Sequence, residues 1–315
     1  MSQAKIPTPI KLAGKLDPTQ IFAMRISLWV GFGMLAMKMT AFYLTSSSAI
    51  LSDAAESVVH VVAVSFAAYS LRLSFKPSDS SHPFGYDRIT FFSAGFEGAM
   101  IIMAALYILY EATMKWISGE APNNLGIGTL ITVAAFIING ILGMYLIRKG
   151  RREKSIILEA NGKHVFTDAF TSGGVIIGLI LTMATGLAFF DPLFAILAAL
   201  NILKEGIELV IKAIRGLMDR VSPDAEKEFE EILHKACLER KVGFHQMKLR
   251  HSGNRYWVLV HLLFDDSTSL QCAHALATEI EHHLEREKPG TVVTTHLETL
   301  MDHNLVHGLD TSHTV

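Results

Sequence analysis

Cysteine and charge are both scarce in this chain, and each shortage excludes a class of protein. The 315 residues contain two cysteines, Cys237 and Cys272, which form no CxxC pair. This argues against a disulfide scaffold and against a cysteine zinc site. Charged residues make up 18% of the chain, whereas about 25% is usual for a soluble domain. The net charge of −2 leaves no basic surplus, so nucleic acid is not expected as a partner.

The shortage of charge is concentrated in residues 21–211, which consist largely of apolar runs. Six runs are long enough to cross a lipid bilayer, which takes about 20 residues each. They cover residues 21–45, 49–73, 89–114, 125–147, 157–181 and 186–211. We therefore predict an α-helical transmembrane domain with six helices over residues 21–211. The first run follows the polar residues 1–20, is itself about 20 residues long and has no small-residue cleavage site, so we expect a retained helix and not a signal peptide.

Lysine and arginine are distributed unevenly among the segments that flank these runs. They are concentrated before the first run, between the second and third, and between the fourth and fifth, whereas the connection between the third and fourth has only Lys115 at its edge. The connection between the first and second runs has none, and neither does the one between the fifth and sixth. By the positive-inside rule, both termini are predicted to lie in the cytoplasm, including the segment 1–20.

Residues 212–303 have the composition of a soluble domain. Ser222-Pro223 is a helix start signal. The predicted elements are a helix over 223–240, strands over 244–251 and 256–264, a helix over 269–286 and a strand over 292–297. This order predicts a small α+β domain of the ferredoxin-like kind. Residues 304–315 show no periodicity, and we predict a disordered tail.

Two of the apolar runs each contain a pair of metal-binding side chains four residues apart. Glu56 precedes His60 in the second run, and His164 precedes Asp168 in the fifth. Residues at i and i+4 lie on one face of a helix. Such groups are costly inside a membrane and are functional candidates by default. Facing each other, the two pairs would offer two imidazoles and two carboxylates, a set suited to a divalent metal.

The alternative interpretation of these groups is hydrogen bonding between helices. Repetition of the same spacing, with a histidine and a carboxylate each time, favours the metal site. Asp53 shares the face of Glu56 and His60, and it is either a proton acceptor on the path to the site or a packing residue. In the loop after the second run, Asp79 and His82 could share a second metal, although a polar loop with one histidine needs no metal.

Histidine is strongly skewed towards the soluble domain. Of fourteen histidines, only His60, His82 and His164 precede residue 222. Five residues of the domain are candidate metal ligands: His245, His261, His274, His296 and Glu298. His296 and Glu298 are two residues apart, so in a strand they point to the same side. The alternative is that these are solvated surface histidines.

Several motifs together resemble the cation diffusion facilitator family of metal–proton antiporters. Residues 48–57 (SAILSDAAES) resemble its second-span motif, and residues 158–172 (LEANGKHVFTDAFTS) resemble its fifth-span motif. Residues 82–86 (HPFGY) resemble the loop after its second span, and residues 217–224 (LMDRVSPD) resemble the junction into its cytoplasmic domain. The resemblance extends from the first span to about residue 301.

This resemblance implies a secondary transporter and not an enzyme, and a homodimer in a bacterial inner membrane. It implies that Glu56, His60, His164 and Asp168 form the transport site. The five domain residues fall where zinc-exporting members carry regulatory ligands. Arg88 and Asp219 fall where those members have an interlocking charge pair at the dimer junction.

Three features depart from the zinc-exporting pattern. Glu56 and His60 stand where familiar members have His/Asp or Asp/Asp. Tyr86 replaces a histidine that helps to hold a loop metal in some members, and Glu298 replaces an aspartate.

The ligand set predicts Zn²⁺ as the substrate, because two imidazoles without a thiolate disfavour Cu(I), Mg²⁺ and Ca²⁺. Fe²⁺, Co²⁺, Ni²⁺, Cd²⁺ and Mn²⁺ remain alternatives. A membrane-anchored metal sensor or storage protein is an alternative of a different class. An intramembrane metalloenzyme would need a general base, and no HExxH motif is present.

Overall fold

The computed structural model describes the backbone of residues 18–152, 156–253 and 255–301. The side chains of residues 18–25, 64, 68, 71, 156–161, 163 and 164 are outside this description. The predicted tail 304–315, most of the predicted N-terminal segment and the side chain of His164 therefore lie outside the described part.

Six long helices make up most of the chain. They are α1 (Pro18–Thr45), α2 (Ser48–Ser74), α3 (Ile89–Ser118), α4 (Leu125–Arg152), α5 (Ile156–Thr185) and α6 (Phe190–Leu217). At 1.5 Å per residue each is about 40 Å long, enough for a hydrocarbon core of about 30 Å. Within the described residues, five helices meet the length and apolarity expected of a membrane span. The sixth helix, α6, exists but is not among the five. Lys204, Glu205 and Glu208 interrupt the apolar character of its second half, so the sixth span stays a prediction.

The chain divides into two compact units. One contains residues 13–69 and 93–212, which hold most of the six helices. The other contains residues 70–92 together with residues from 213 onwards.

Close packing of α4 against α5 depends on two glycines in the first unit. A Cβ added at Gly143 would lie 2.8 Å from Cβ and backbone N of Phe166, and one added at Gly162 would lie 2.6 Å from the backbone N of Ile147. Small residues allow helix backbones to approach in this way inside membranes. The contact holds the part of α5 that leads to Asp168.

The start of α2 is capped by a residue from α6. Asp191 is buried, and its carboxylate accepts hydrogen bonds from the backbone N–H of Ser48 at 2.7 Å and of Ala49 at 3.3 Å. The hydroxyl of Ser47 also donates to Asp191. A negative charge at a helix N-terminus is favourable because free N–H groups point towards it. This contact sets where the helix that carries Glu56 begins.

The C-terminal part of the second unit contains two helices and a three-stranded sheet. The elements are α7 (Pro223–Arg240), β1 (Gly243–His251), β2 (Tyr256–Phe264), α8 (Leu270–Glu287) and β3 (Thr291–Thr299). Each lies within two residues of its predicted bounds. In the sheet, whose order is β1-β2-β3, β1 pairs antiparallel with β2, and β2 pairs parallel with β3. Both helices begin at a serine cap, Ser222 or Ser269, whose hydroxyl accepts a backbone N–H.

The core of this domain lies between the helices and the sheet. It contains Phe229, Leu233, Val260, Ile280 and Leu284, all at most 1% exposed. Cys237 belongs to the same core, and burial raises the pKa of its thiol to about 12. This cysteine is therefore a protonated, apolar packing residue and not a metal ligand.

Residues 70–92 pack against the turn between β1 and β2. The Asp87 carboxylate lies 3.3 Å from Nε of Arg255, and the guanidinium of Arg250 lies over the rings of Phe84 and Trp257. Gly253 has a φ of 95°, and a Cβ there would clash with Thr90, so the turn needs glycine for two reasons.

We expect Gly143→Ala to destabilise the helical unit, because overpacking typically costs about 1–3 kcal/mol. The measurement is the apparent Tm of the purified chain in detergent. Gly140→Ala is the matched control, because nothing lies within 4 Å of a Cβ added there. An equal change in Tm for both variants would contradict this account of the α4–α5 contact.

Candidate metal centres

The described members of the predicted membrane quartet lie on α2 and α5. Glu56 and His60 stand one turn apart on α2, Asp168 stands on α5, and all three are half-buried. The hydroxyl of Thr171 on α5 donates to the backbone oxygen of Asp168 at 2.9 Å and also lies 3.4 Å from Oε2 of Glu56, so it contacts both helices. Glu56 and Asp168 interact electrostatically. The structure thus brings the two carboxylates into one region.

The three residues do not form a closed site in this conformation. Among the described residues, one set of three or more ligand atoms lies within 4.8 Å of one another, and it is in the C-terminal domain. Glu56, His60 and Asp168 are therefore more widely spaced than the ligands of a bound ion. His164, the fourth predicted ligand, lies outside the described side chains.

Two further carboxylates border this region. A cavity of about 50 Å³ is lined by Glu56 and His60, by Glu97 of α3 and by Glu205 of α6. The amide of Asn201 donates to Oε1 of Glu205 at 2.9 Å. Glu97 is not among the candidate site residues predicted from the sequence. Its carboxylate lies inside the apolar run 89–114, and that position is the signal by which the sequence could have indicated it.

Asp53, the predicted proton acceptor or packing residue, is in a buried ion pair. Its Oδ1 lies 2.8 Å from Nζ of Lys38 on α1. The hydroxyl of Ser172 on α5 donates to the same oxygen at 2.7 Å. Asp53 therefore contacts two neighbouring helices.

The loop pair Asp79 and His82 is adjacent, but Asp79 already has several donors. Ser81 donates its hydroxyl to Oδ1 at 2.7 Å, while Tyr86 and Lys76 donate to Oδ2 at 2.7 and 2.9 Å. Hydrogen bonds from Ser81, Tyr86 and Lys76 hold the pKa of Asp79 well below its usual range. Nδ1 of His82 is 3.6 Å from Oδ1. Tyr86, Lys76 and Ser81 thus donate to both oxygens of the Asp79 carboxylate, and a metal would have to displace these donors.

The register of the sheet aligns three histidines in one row. His245 of β1 is opposite His261 of β2, and His261 is opposite His296 of β3. Glu298 follows two residues later on β3. Its Oε2 lies 2.9 Å from Nε2 of His245, and its Oε1 lies 2.6 Å from Nδ1 of His261. His245, His261 and Glu298 form the compact cluster.

The charge state of Glu298 suits a metal ligand. Partial burial opposes its ionisation, but hydrogen bonds with His245 and His261 outweigh burial and lower the pKa of Glu298. An ionised carboxylate can only accept hydrogen bonds, so both imidazoles direct an N–H towards it. A divalent ion would replace these protons.

The other predicted domain ligands are less well placed. Nε2 of His296 is 3.6 Å from Oε1 of Glu298, and the side chain of His296 is 63% exposed. His274 is exposed on α8 and does not join the cluster. Spacing along the chain does not show which side chains the fold brings together, so it could not separate His274 from the strand histidines.

Arg88 and Asp219 form an ion pair within one chain. Arg88 precedes α3, and Asp219 follows α6 with a φ of 60°. Both side chains are partly exposed.

Comparisons with known proteins match both parts of the chain. The family described as the cation efflux transmembrane domain matches residues 24–218. The family described as the cation efflux protein, cytoplasmic domain, matches residues 221–300.

Individual relatives match nearly end to end. "Uncharacterized transporter sll1263" of Synechocystis sp. is 34% identical over 277 residues, covering 88% of this chain and 89% of the relative. "Cation-efflux pump FieF" of Escherichia fergusonii is 28% identical over 264 residues, covering 84% and 87%. Among solved structures, a CzrB chain is 28% identical and covers 25% of this chain and 96% of that chain, with a TM-score of 0.24.

We expect His261→Ala to weaken zinc binding by the C-terminal domain at least about tenfold, because it removes one of three clustered ligands. The measurement is isothermal titration of zinc into the chain in detergent. All chains also carry Asp168→Ala, so that the heat of zinc binding comes mainly from the C-terminal domain. Affinity should fall as pH drops from 7.5 to 6, because protons compete for imidazole nitrogens. His234→Ala, on α7, is the control. Equal zinc affinity in the two variants would contradict the cluster.

Proposed function

This chain belongs to the cation diffusion facilitator family, and from that premise we propose that it exports Zn²⁺ from the cytoplasm in exchange for protons. It is an integral membrane cation-efflux transporter and not an enzyme. The observation that carries the metal proposal is the ligand chemistry on α2 and α5. The zinc selectivity and the proton exchange are the proposed part.

The transport site in this proposal consists of Glu56, His60, His164 and Asp168. Glu56 and Asp168 interact electrostatically, and Thr171 links the helices that carry them. His164 precedes Asp168 by four residues, so helical spacing places both on one face of α5. Two imidazoles and two carboxylates suit Zn²⁺ in tetrahedral geometry. Fe²⁺, Co²⁺, Cd²⁺ and Mn²⁺ are the alternative substrates.

Proton exchange follows from competition at these ligands. Zinc binds neutral imidazole and ionised carboxylate, so each protonated ligand weakens binding. In the inward-facing state the deprotonated ligands take up the metal. In the outward-facing state protons displace it, and the protonated site returns. Each net charge moved across the membrane changes the free energy by about 2.3 kcal/mol per 100 mV.

The proposed architecture has six spans, with α6 as the sixth, and both termini in the cytoplasm of a bacterial cell. Residues 212–303 form the cytoplasmic domain of ferredoxin-like kind, and residues 304–315 form its tail. The match of residues 221–300 to a cytoplasmic domain supports this orientation. We infer a homodimer in the inner membrane, with Arg88 and Asp219 at its junction.

The domain cluster in this proposal binds cytoplasmic metal and regulates transport. His245, His261 and Glu298 bind it, with His296 and His274 as outer contributors. Metal bound there would favour the transport-ready state by its higher affinity for that state. The loop pair Asp79 and His82 is a weaker second site.

We expect Asp168→Ala to reduce zinc flux at least about 100-fold, because it removes one of four ligands and half of the carboxylate charge. The assay is zinc uptake into proteoliposomes driven by an imposed pH gradient. Glu208→Ala is the control, because its side chain is exposed on α6 and pairs only loosely with Lys204, at 3.9 Å. Intact flux in Asp168→Ala would make the quartet assignment wrong.

The same assay separates the competing functions. Uptake that depends on the pH gradient is expected of a transporter, whereas a metal sensor or storage protein binds zinc without uptake. Repeating the assay with iron, cobalt, cadmium and manganese tests the substrate. Faster gradient-driven flux of another metal would overturn zinc as the substrate while leaving the transporter in place.

A further inference from the structure

Lys38 and Asp53 form an ion pair that is almost completely removed from solvent. Their side chains are 3% and 1% exposed, and Nζ of Lys38 lies 2.8 Å from Oδ1 of Asp53. The other oxygen, Oδ2, is buried and accepts no hydrogen bond from any residue in the described ranges. Lys38 is therefore the cation that compensates the charge of Asp53. Charges this deeply buried persist only when they are paired.

The pair lies beside the proposed transport ligands. Asp53 precedes Glu56 by three residues on the same face of α2. The hydroxyl of Ser172 donates to Oδ1 of Asp53 at 2.7 Å and lies 3.0 Å from the backbone oxygen of Asp168. Lys38 interacts electrostatically with Glu56 and with Asp168. An ammonium group is thus within electrostatic reach of both proposed anionic ligands.

Lys38 and Asp53 cancel each other's charge, so the pair adds no net charge beside Glu56 and Asp168. Without Asp53, the ammonium of Lys38 would remain uncompensated within electrostatic reach of both carboxylates. It would attract their negative charge and repel an incoming divalent cation.

We propose that Asp53 is a positioning residue that holds the Lys38 ammonium away from the transport ligands, so that the negative charge of Glu56 and Asp168 remains available to the metal. This inference rests on the proposed transport function. Lys38 has a reciprocal role, because it prevents Asp53 from acting as an additional metal ligand.

A purely structural ion pair makes a different prediction. If the pair only joined α1 to α2, removal of either partner would damage the protein to a similar extent. An electrostatic role is asymmetric, because loss of Asp53 adds a free cation beside the site, whereas loss of Lys38 adds a free anion.

The test compares five chains in zinc binding and in proteoliposome flux. The reference chain carries His261→Ala alone, so that binding reports the membrane site, and the others add Asp53→Asn, Lys38→Gln, both substitutions, or Lys38→Arg. We expect Asp53→Asn to weaken zinc binding at least about tenfold. Lys38→Gln should bind zinc at least as tightly as the reference chain. The double variant should return to within about threefold of the reference affinity, and Lys38→Arg should preserve it.

Three outcomes would overturn the inference. They are unchanged zinc affinity in Asp53→Asn, equal losses in both single variants, and no recovery in the double variant. If Asp53→Asn does not fold, Lys38→Gln and the double variant decide, because weaker binding by Lys38→Gln contradicts the proposal.

A different result would overturn the proposed function. That result is zinc flux by the unmodified chain that is absent or that is insensitive to Asp168→Ala. If Asp168→Ala abolishes flux while Asp53→Asn binds zinc normally, only the role of Asp53 and Lys38 is overturned.

Discussion

A charge buried in an apolar helix bundle needs a counter-charge or a set of donors, and this constraint organises the helical part of the chain. Asp53 has Lys38 and Ser172. Asp191 has two backbone N–H groups of α2 and the hydroxyl of Ser47. Breaking a buried pair by removing one partner typically costs about 3–5 kcal/mol. These contacts therefore hold α1, α2, α5 and α6 in register. Glu56 and Asp168 lie within electrostatic reach of the Lys38 ammonium, and in the proposed function the transported metal binds their negative charge.

In the C-terminal domain, a β-sheet brings an ionised carboxylate and its hydrogen-bond donors together. Register places His245, His261 and Glu298 side by side, and the two imidazoles stabilise the ionised carboxylate. A cluster pre-assembled by strand pairing needs little rearrangement to accept an ion, because its ligands are already on rigid elements. The helical site is looser, since its described ligands do not converge to bonding distance. Under the proposed function, the looser site is the one that releases its ion during transport, and the pre-assembled cluster is the one that binds cytoplasmic metal.

Much of the fold could be predicted because its signals are local. The helices and strands of the C-terminal domain lie within two residues of their expected bounds, since serine caps and apolar periodicity mark their ends. The sixth span is less clear, because charged residues in α6 break the apolar signal. Candidate ligands were found by spacing, yet spacing could not show that His274 lies outside the compact cluster. It also could not reveal that Tyr86 and Lys76 already donate hydrogen bonds to Asp79.

The sequence by itself determined the long apolar helices, the two four-residue pairs of candidate ligands and the order of elements in the C-terminal domain. These features depend on hydrophobicity and on the helical repeat, which act over a few residues. Only the tertiary structure decided that Lys38 pairs with Asp53, that Asp191 caps α2 and that Glu298 joins His245 to His261. Such pairings connect residues far apart in the chain, and they form because burial leaves each charge with no partner except the one that packing brings to it.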